Sequence, residues 1–433
     1  MTTFESWGRY PRGEQKLKAL FWASDFPLID DGKTSMLPAG LGRSYGDVCL
    51  NHGNTLLLTR GLDRMLGFDA QSGILRCEAG VSLAEILEFA VPRGWFLPVT
   101  PGTKFVTVGG AIANDVHGKN HHVAGTFGRH VLRFELLRSD GSRRVCSAEE
   151  NSDWFAATIS GLGLTGLIHW ADIRLRPIGS RKVKYEATKF RGLEEFLELS
   201  GANRDREYTV SWIDCVARGK NAARGIFMSG DHSEVAEATS TRPEKAIDFP
   251  FDLPDVALNR ASVGLFNALY FHKQIGKSVS RLVDYEPFFY PLDAVLHWNR
   301  MYGKQGLLQF QCLVPLTNGL EAISAILKTI ADSGLASFLA VLKVCGDAAS
   351  PGMMSFPMPG ITLALDFPIR GQRTFALVDR LGEMTAAAGG RLYPAKDARM
   401  TGEQFRSFYP AWQKFSPYID PRFSSSFWRR VMA

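Results

Sequence analysis

The stretch Thr100–Gly128, TPGTKFVTVGGAIANDVHGKNHHVAGTFG, constrains this chain more than any other. Gly102, Gly109, Gly110, Gly118, Gly125 and Gly128 punctuate it, with Val106, Val108, Ala111, Ile112 and Ala113 between them. That is too much glycine for a core helix and too many apolar residues for a linker. Glycine lets backbone approach a ligand closely or take positive φ. A buried, non-repetitive, Gly-rich segment suggests backbone wrapped around something large and flat. A surface loop accounts for the glycines but not for the apolar positions among them.

At 433 residues the chain exceeds the size at which single cores stop growing, so two domains are expected. A formal charge of +6 suits a phosphate-bearing substrate or an anionic membrane surface. No long basic run points to nucleic acid. The start, MTTFESWGRYPRGEQ, lacks the apolar core of a secretory signal, and no stretch approaches the ~20 apolar residues of a membrane span. Cys49, Cys77, Cys146, Cys215, Cys312 and Cys345 are scattered, with no C-x-x-C. This predicts free thiols in a reducing, cytoplasmic setting and no zinc ribbon.

In chain order, LPAGLGRSYGDVCLN at 37–51 is a short Gly-rich turn. It reads equally as a cradle for pyrophosphate through free backbone N–H groups or as a hairpin turn. It has neither the Rossmann nor the Walker spacing. Leu56–Leu58, Ile74–Glu78 and Phe96–Val99 read as strands. Ser82 and Glu85 form a capping box before Leu83, Ile86, Leu87 and Ala90 at helical spacing. Leu132, Phe134 and Leu136 alternate with Arg133 and Glu135 as a half-buried strand, returning through Arg143–Cys146. A helix near 151–159 leads into SGLGLTGLI at 160–168, and a strand follows at 170–176. Beyond Pro177 glycine thins and aromatics rise. Strands are expected at 183–190 and 208–217, and a surface excursion at 233–257. Lys273, Lys277 and Arg281 have helix-like spacing, as a solvated helix face or as a contact for phosphate or lipid headgroups. The remainder reads as β-α-β-β-α-β: strand 307–315, helix 319–332, strands 338–344 and 361–366, helix 374–388, strand 390–393. The expected fold class is therefore α+β. Residues 1–177 form one domain, 178–392 a second, and 393–433 an aromatic tail that packs back on the first.

Three pieces, GLGRSYGD at 40–47, PGTKFVTVGGAIANDVHGKNHH at 101–122 and GLGLTG at 161–166, resemble the FAD-binding domain of the vanillyl-alcohol oxidase / p-cresol methylhydroxylase superfamily. Further matches at SWID 211–214, FYPLD 289–293, WNRMYG 298–303, LQFQ 308–311, SFPMPG 355–360, LDFPI 365–369 and YPAKDAR 393–399 are similar to its polyprenylphosphoryl-ribose 2′-oxidase family. The resemblance implies a two-domain p-cresol-methylhydroxylase-type fold, with FAD in the first domain and a sheet-and-helix cap over its ring. FAD contacts are then expected from Ala39, Gly40, Leu41, Gly42, Arg43, Ser44, Tyr45 and Gly46. Gly102, Thr107, Gly109, Gly110, Asn114, Val116 and His117 follow in the second segment, then Gly166 and Tyr393. Arg43 stands where many superfamily members carry a flavin-linked histidine, which implies non-covalent FAD. Ala364 stands at the family's pocket cysteine.

Oxidising a secondary alcohol requires a C–H aimed at the flavin, an acceptor for the hydroxyl proton and stabilisation of the reduced ring. The motif match makes Lys396 the first candidate at the chemistry; outside it, Lys396 is a surface lysine in a turn. His117 reads as a ring-orienting group or a core histidine, and Tyr45 as flavin-facing or packing. With His121 and His122, His117 invites a metal, but no Cys, Asp or Glu set completes a zinc site beside the lone Asp115. Gln309 and Gln311 share one strand face, as partners for sugar hydroxyls or as a solvent face. The catalytic candidates are Lys396, His117, Tyr45 and Gln311. Gln309, Lys343, Tyr393 and Trp212 are the substrate-binding candidates, Trp212 being core by default.

The function implied is removal of a hydride from a secondary sugar hydroxyl, at C2 of a polyprenyl-phosphate-linked pentose, as the first step of an epimerisation. The partners implied are a separate NAD(P)H-dependent short-chain reductase and a quinone or oxygen as electron acceptor, with peripheral contact at the inner membrane. An FAD oxidase of a free alditol or aldonolactone is the alternative enzyme. A flavin- or carbohydrate-binding protein without turnover is the alternative outside enzymes.

Overall fold

The computed structural model describes residues 4–27, 34–234 and 246–433. A parallel ladder of Lys16–Ala19, Thr55–Leu58 and Met36–Ala39, with Thr55–Leu58 central, carries the first Gly-rich turn at its exit. Leu56 and Leu57 are fully buried there, as a ribbon covered on both faces demands. A five-stranded antiparallel sheet follows in the order Met65–Asp69, Ile74–Glu78, Leu167–Arg174, Val131–Leu137, Arg143–Ser147. Helix Leu83–Ala90 has the expected capping box: the Ser82 side chain accepts from the Glu85 N–H while the Glu85 carboxylate accepts from the Ser82 N–H. Among the described residues no helix is long and apolar enough to cross a membrane.

The largest element is an eight-stranded antiparallel sheet. Its order is Ser278–Asp284, Lys182–Arg191, Arg224–His232, Tyr208–Ile213, Ala340–Cys345, Gly360–Pro368, Leu307–Val314, Arg391–Leu392. Successive strand residues point to opposite faces. One face gives Leu308, Phe310, Cys312, Leu363 and Leu365 to an apolar core with helices Leu316–Ser333 and Gln372–Ala387. The other face carries Gln309, Gln311, Lys343, Thr362, Ala364, Asp366 and Trp212 along a cavity. Register brings them together: Gln309 lies opposite Asp366, Gln311 and Val341 opposite Ala364, and Lys343 opposite Thr362.

Several boundaries differ from expectation. The strand expected at 96–99 is only Trp95–Phe96, paired with Arg176–Pro177. Pro98 has no N–H to extend a ladder. The strand from Tyr208 ends at Ile213, where the Asp214 carboxylate turns to the Arg224 guanidinium at 2.8 Å. The strand Arg224–His232 and the helices Gly192–Ala202 and Arg260–Lys273 had no expectation. The basic segment is not one helix: Lys273 ends helix Arg260–Lys273, Gly276 takes φ +79°, and Arg281 lies on a strand. Its helix-like spacing has no helical meaning. The expected excursion falls largely on 235–245, outside the described residues, and short strand Ile247–Asp248 follows.

The C-terminal tail is tied to the first Gly-rich turn. Arg430 binds Asp47 at 2.8 Å and Asp397 at 2.9 Å, and both carboxylates are nearly inaccessible. The Ser426 N–H donates to the Leu50 carbonyl, and the Met36 N–H to that of Arg422. Removing one partner of a buried pair leaves charge uncompensated. Arg430→Ala is therefore expected to cost about 3 kcal/mol in urea unfolding at neutral pH. A loss under about 1 kcal/mol would show the bridge to be of little structural weight.

Candidate active site

The Gly-rich turns and the polar sheet face enclose a cavity of about 830 Å³. That lies toward the top of the ~300–1,000 Å³ range of small-molecule sites. Among the described residues six Lys or Arg side chains line it, namely Arg43, Lys119, Lys273, Arg281, Lys343 and Lys396, against the carboxylates of Asp293 and Asp366. The cavity thus suits anionic ligands.

Its first wall is the turn after Met36–Ala39. Gly40 is required by sterics: a Cβ there would sit 2.3 Å from Thr107 Oγ1. That hydroxyl is occupied, accepting from the Gly110 N–H at 3.2 Å to cap helix Val108–Ala113. Gly42 takes φ +63°, open to glycine without strain. Arg43 donates to the Phe105 carbonyl at 3.2 Å and stacks on Trp7 at 4.1 Å. Burial pushes its pKa down, against the pull of Asp293.

The second wall is the Thr100–Gly128 stretch. Asp115 organises it from φ +41°, accepting from the Gly128 N–H at 2.9 Å and from the Ser350 and Ser355 hydroxyls at 2.5 Å. His117 follows, facing Phe356 and Tyr393 rings at 5.5 and 5.3 Å. Burial, then Lys343, hold its pKa well below the usual histidine range, so the ring is neutral. Gln311 Nε2 lies 3.1 Å from His117 Nε2. An amide donor there leaves the ring proton on Nδ1, which is buried and unpaired.

Lys396 ends the short turn Pro394–Lys396, with Nζ 3.9 Å above the Tyr45 ring. Its enclosed ammonium is pushed down by burial, opposed by Asp366 and aided by Lys343. Burial pushes Asp366 up, opposed by a hydrogen bond from Gln309 Nε2 and by Lys396. Each charge favours ionisation of the other, and desolvation outweighs that for both. Lys343 donates to the Gly118 carbonyl at 3.1 Å and is also depressed by burial. Lys119, donating to the Phe289 carbonyl at 2.9 Å, is pushed down to about 7 by burial, then Lys343.

Tyr393, Lys396, His117, Tyr45, Gln309, Gln311, Lys343 and Trp212 all line this one cavity. So do the expected FAD contacts, Gly46 excepted, which lies where a Cβ would meet the Asp397 carbonyl at 1.8 Å. The Tyr393 hydroxyl donates to the Asn114 carbonyl at 2.8 Å, and Trp212 Nε1 to that of Phe338 at 3.1 Å. Both therefore present ring surface to the cavity. Lys273 and Arg281 reach its rim, whereas Lys277 pairs with Glu195 at 2.8 Å. The His121 ring meets that of His117 edge-on at 6.4 Å, and His122 Nε2 bonds the Arg206 carbonyl at 2.8 Å. Sequence reasoning missed Asp366, Thr362, Lys119 and Trp7. The first two share alternation with Ala364 in ITLALDFP, the one available signal.

The residues present fit FAD. A roomy, cationic cavity is walled by close-approach glycines, and Asn114 Oδ1, His117 Nδ1 and Gln309 Oε1 are buried without partners among the described residues. Residues 28–147 match the family described as FAD binding domain. The chain is 35% identical over 422 residues to the decaprenylphosphoryl-β-D-ribose oxidase of Mycolicibacterium smegmatis, spanning 93% of this chain and 90% of that protein. It is 32% identical over 374 residues to an uncharacterized protein in the mprA 5′ region of Streptomyces coelicolor, spanning 81% of this chain and all of that one. The Delta(24)-sterol reductase of Rattus norvegicus is 34% identical over 134 residues, 31% of this chain and 26% of the reductase.

Gly40→Ala displaces Thr107 from its cap. It is expected to weaken FAD binding at least about tenfold, read by flavin fluorescence titration, with the far-UV spectrum kept. Unchanged affinity would mean that the close approach at residue 40 serves packing alone.

Proposed function

The chain belongs to the decaprenylphosphoryl-β-D-ribose oxidase family of FAD-dependent oxidases, and on that premise we propose that it oxidises the C2 hydroxyl of a polyprenyl-phosphate-linked pentose to the 2-keto sugar. The observation that carries this reading is the enclosed amine of Lys396, held with Gln309, Gln311, Lys343 and a neutral His117 around one cationic cavity.

Residues 1–177 are taken as the FAD domain, 178–392 as the substrate domain over it, and 393–433 as the segment that brings part of the chain back to the first. The turn at Gly40–Tyr45 and the Thr107–His117 segment hold the cofactor, with Gly166 and Tyr393 beside them. FAD is bound non-covalently. Arg43 offers no nucleophile, since a guanidinium stays protonated with no free lone pair; its own stacks on Trp7 and donates to the Phe105 carbonyl. Acid precipitation should therefore leave the yellow colour in the supernatant, and colour in the pellet would contradict the assignment.

Bound FAD supplies the two-electron acceptor for the hydride leaving C2. The Lys396 amine takes the hydroxyl proton, a role that its depressed pKa makes available near neutrality. His117 Nδ1–H, held in that tautomer by Gln311, donates to oxygen in the cavity. Gln309 and Gln311 orient sugar hydroxyls, and Lys343 attracts the phosphodiester. Ala364 leaves no thiol at that point of the wall. The reoxidant is a quinone or oxygen, and a separate NAD(P)H-dependent short-chain reductase consumes the keto sugar. The site of action is the cytoplasmic side of the inner membrane.

Lys396→Met is expected to lower turnover about 10²–10⁴-fold with FAD retained. Loss of flavin in that variant would make Lys396 structural. Only the neutral amine accepts a proton, so wild-type turnover should rise with pH through a value below the ~10.4 of free lysine. A profile flat from acid to neutral pH would remove Lys396 as base. The site of oxidation is checked by trapping product with borodeuteride: deuterium belongs at C2, and deuterium elsewhere would overturn the regiochemistry.

A further inference from the structure

Helix Arg260–Lys273 is apolar on both faces. Its inner face buries Val263 and Phe271 around Asn267, whose side chain donates to Asp214 at 2.8 Å. Its outer face has no cover among the described residues: Leu265 and Leu269 are 63% and 64% exposed, one turn apart, and Ile275 just beyond is 89% exposed. Phe266 and Tyr270, on the flank, line the mouth of the cavity and stack at 6.1 Å. Tyr270 in turn meets Trp212 at 4.8 Å. An apolar strip of this kind beside a site mouth is uncommon on a protein that meets only water.

Charge identifies the occupant. From Val256 to Val283 there is no Asp or Glu, while Arg260, Lys273, Lys277 and Arg281 fall in that stretch. Lys277 is paired with Glu195, and Lys273 and Arg281 stand at the cavity rim. Arg260 faces Asp332, so the apolar strip is flanked by Lys273 and Arg281. Apolar side chains beside such cations match the boundary between acyl chains and anionic headgroups, into which such a helix sinks about 5–10 Å. We infer that helix Arg260–Lys273, with the turn through Ile275, docks this protein on an anionic phospholipid bilayer with the cavity mouth toward the lipid. Docking stands apart from the identity of the substrate. Its use, to admit a sugar headgroup while the prenyl chain stays in the membrane, rests on the reading above.

The test is flotation of the FAD-loaded protein with phosphatidylcholine–phosphatidylglycerol vesicles and with pure phosphatidylcholine vesicles, without substrate. The comparison variant is the triple change Leu265→Ser, Leu269→Ser and Ile275→Ser, at exposed positions outside the cavity wall. Wild type should float with the anionic vesicles and several-fold less with the neutral ones. The triple variant should partition at least about tenfold less, with unchanged turnover of a soluble short-chain analogue. Wild type that stays at the bottom with both vesicles overturns the inference, as does a triple variant that floats equally. So does a concentration-dependent dimer that the triple variant abolishes in place of flotation, which would assign the face to a second copy of the chain. Flotation without flavin reduction by any lipid-linked sugar would keep the docking and reject the substrate.

Discussion

The site depends on one join, between two turns distant in sequence. The Tyr45 N–H donates to the Ala395 carbonyl at 2.9 Å, and the Tyr45 ring lies 3.9 Å beneath Lys396 Nζ. Gly46 lets the two backbones touch, since any Cβ there would strike the Asp397 carbonyl. Arg430 then clamps Asp47 to Asp397. The turn that faces the cofactor and the turn that carries the reactive amine are thereby one rigid object. Catalytic geometry demands that precision, because small displacements of a reacting group cost large factors in rate.

Desolvation gives the join its chemistry. A lysine in water is protonated and cannot accept a proton at neutral pH. In this cavity burial lowers Lys119, Lys343 and Lys396 together and strips His117 of charge, while raising Asp366. The lysines also repel one another's protons, which adds to the effect of burial for Lys119 and Lys396. A phosphodiester entering the cavity would restore charge to the lysines nearest it. Anion binding and amine basicity are therefore coupled within one volume.

Much of this was legible in the sequence where one periodicity dominates. Strand Ile74–Glu78, the Ser82–Glu85 cap and the helices at 316–333 and 372–387 follow from local pattern, because neighbouring residues decide them. The Gly-rich segments were legible for another reason: glycine among apolar residues has few uses other than close approach. Asp366 was not, because a lone carboxylate on a strand reads as a solvent face until the register sets it beside Gln309. Lys119 was hidden similarly, since Phe289, which accepts its bond, comes from a distant helix. The basic segment misled because residues four apart mimic a helical face even when a glycine turn lies between them. Helix Arg260–Lys273 lacks a single apolar stripe, being apolar inside and out, so periodicity could not find it.

The most direct measurement is anaerobic reduction of the bound flavin, followed by loss of its visible absorbance. The protein is mixed in turn with a polyprenylphosphoryl ribose, a short-chain phosphoribosyl analogue, and free alditols. Fast, saturable bleaching by the lipid-linked ribose is expected, with free alditols slower by at least about 100-fold, since remote binding energy is spent at the reacting carbon. Equal or faster bleaching by a free alditol would contradict the assigned substrate class and make the cavity that of a simple sugar-alcohol oxidase.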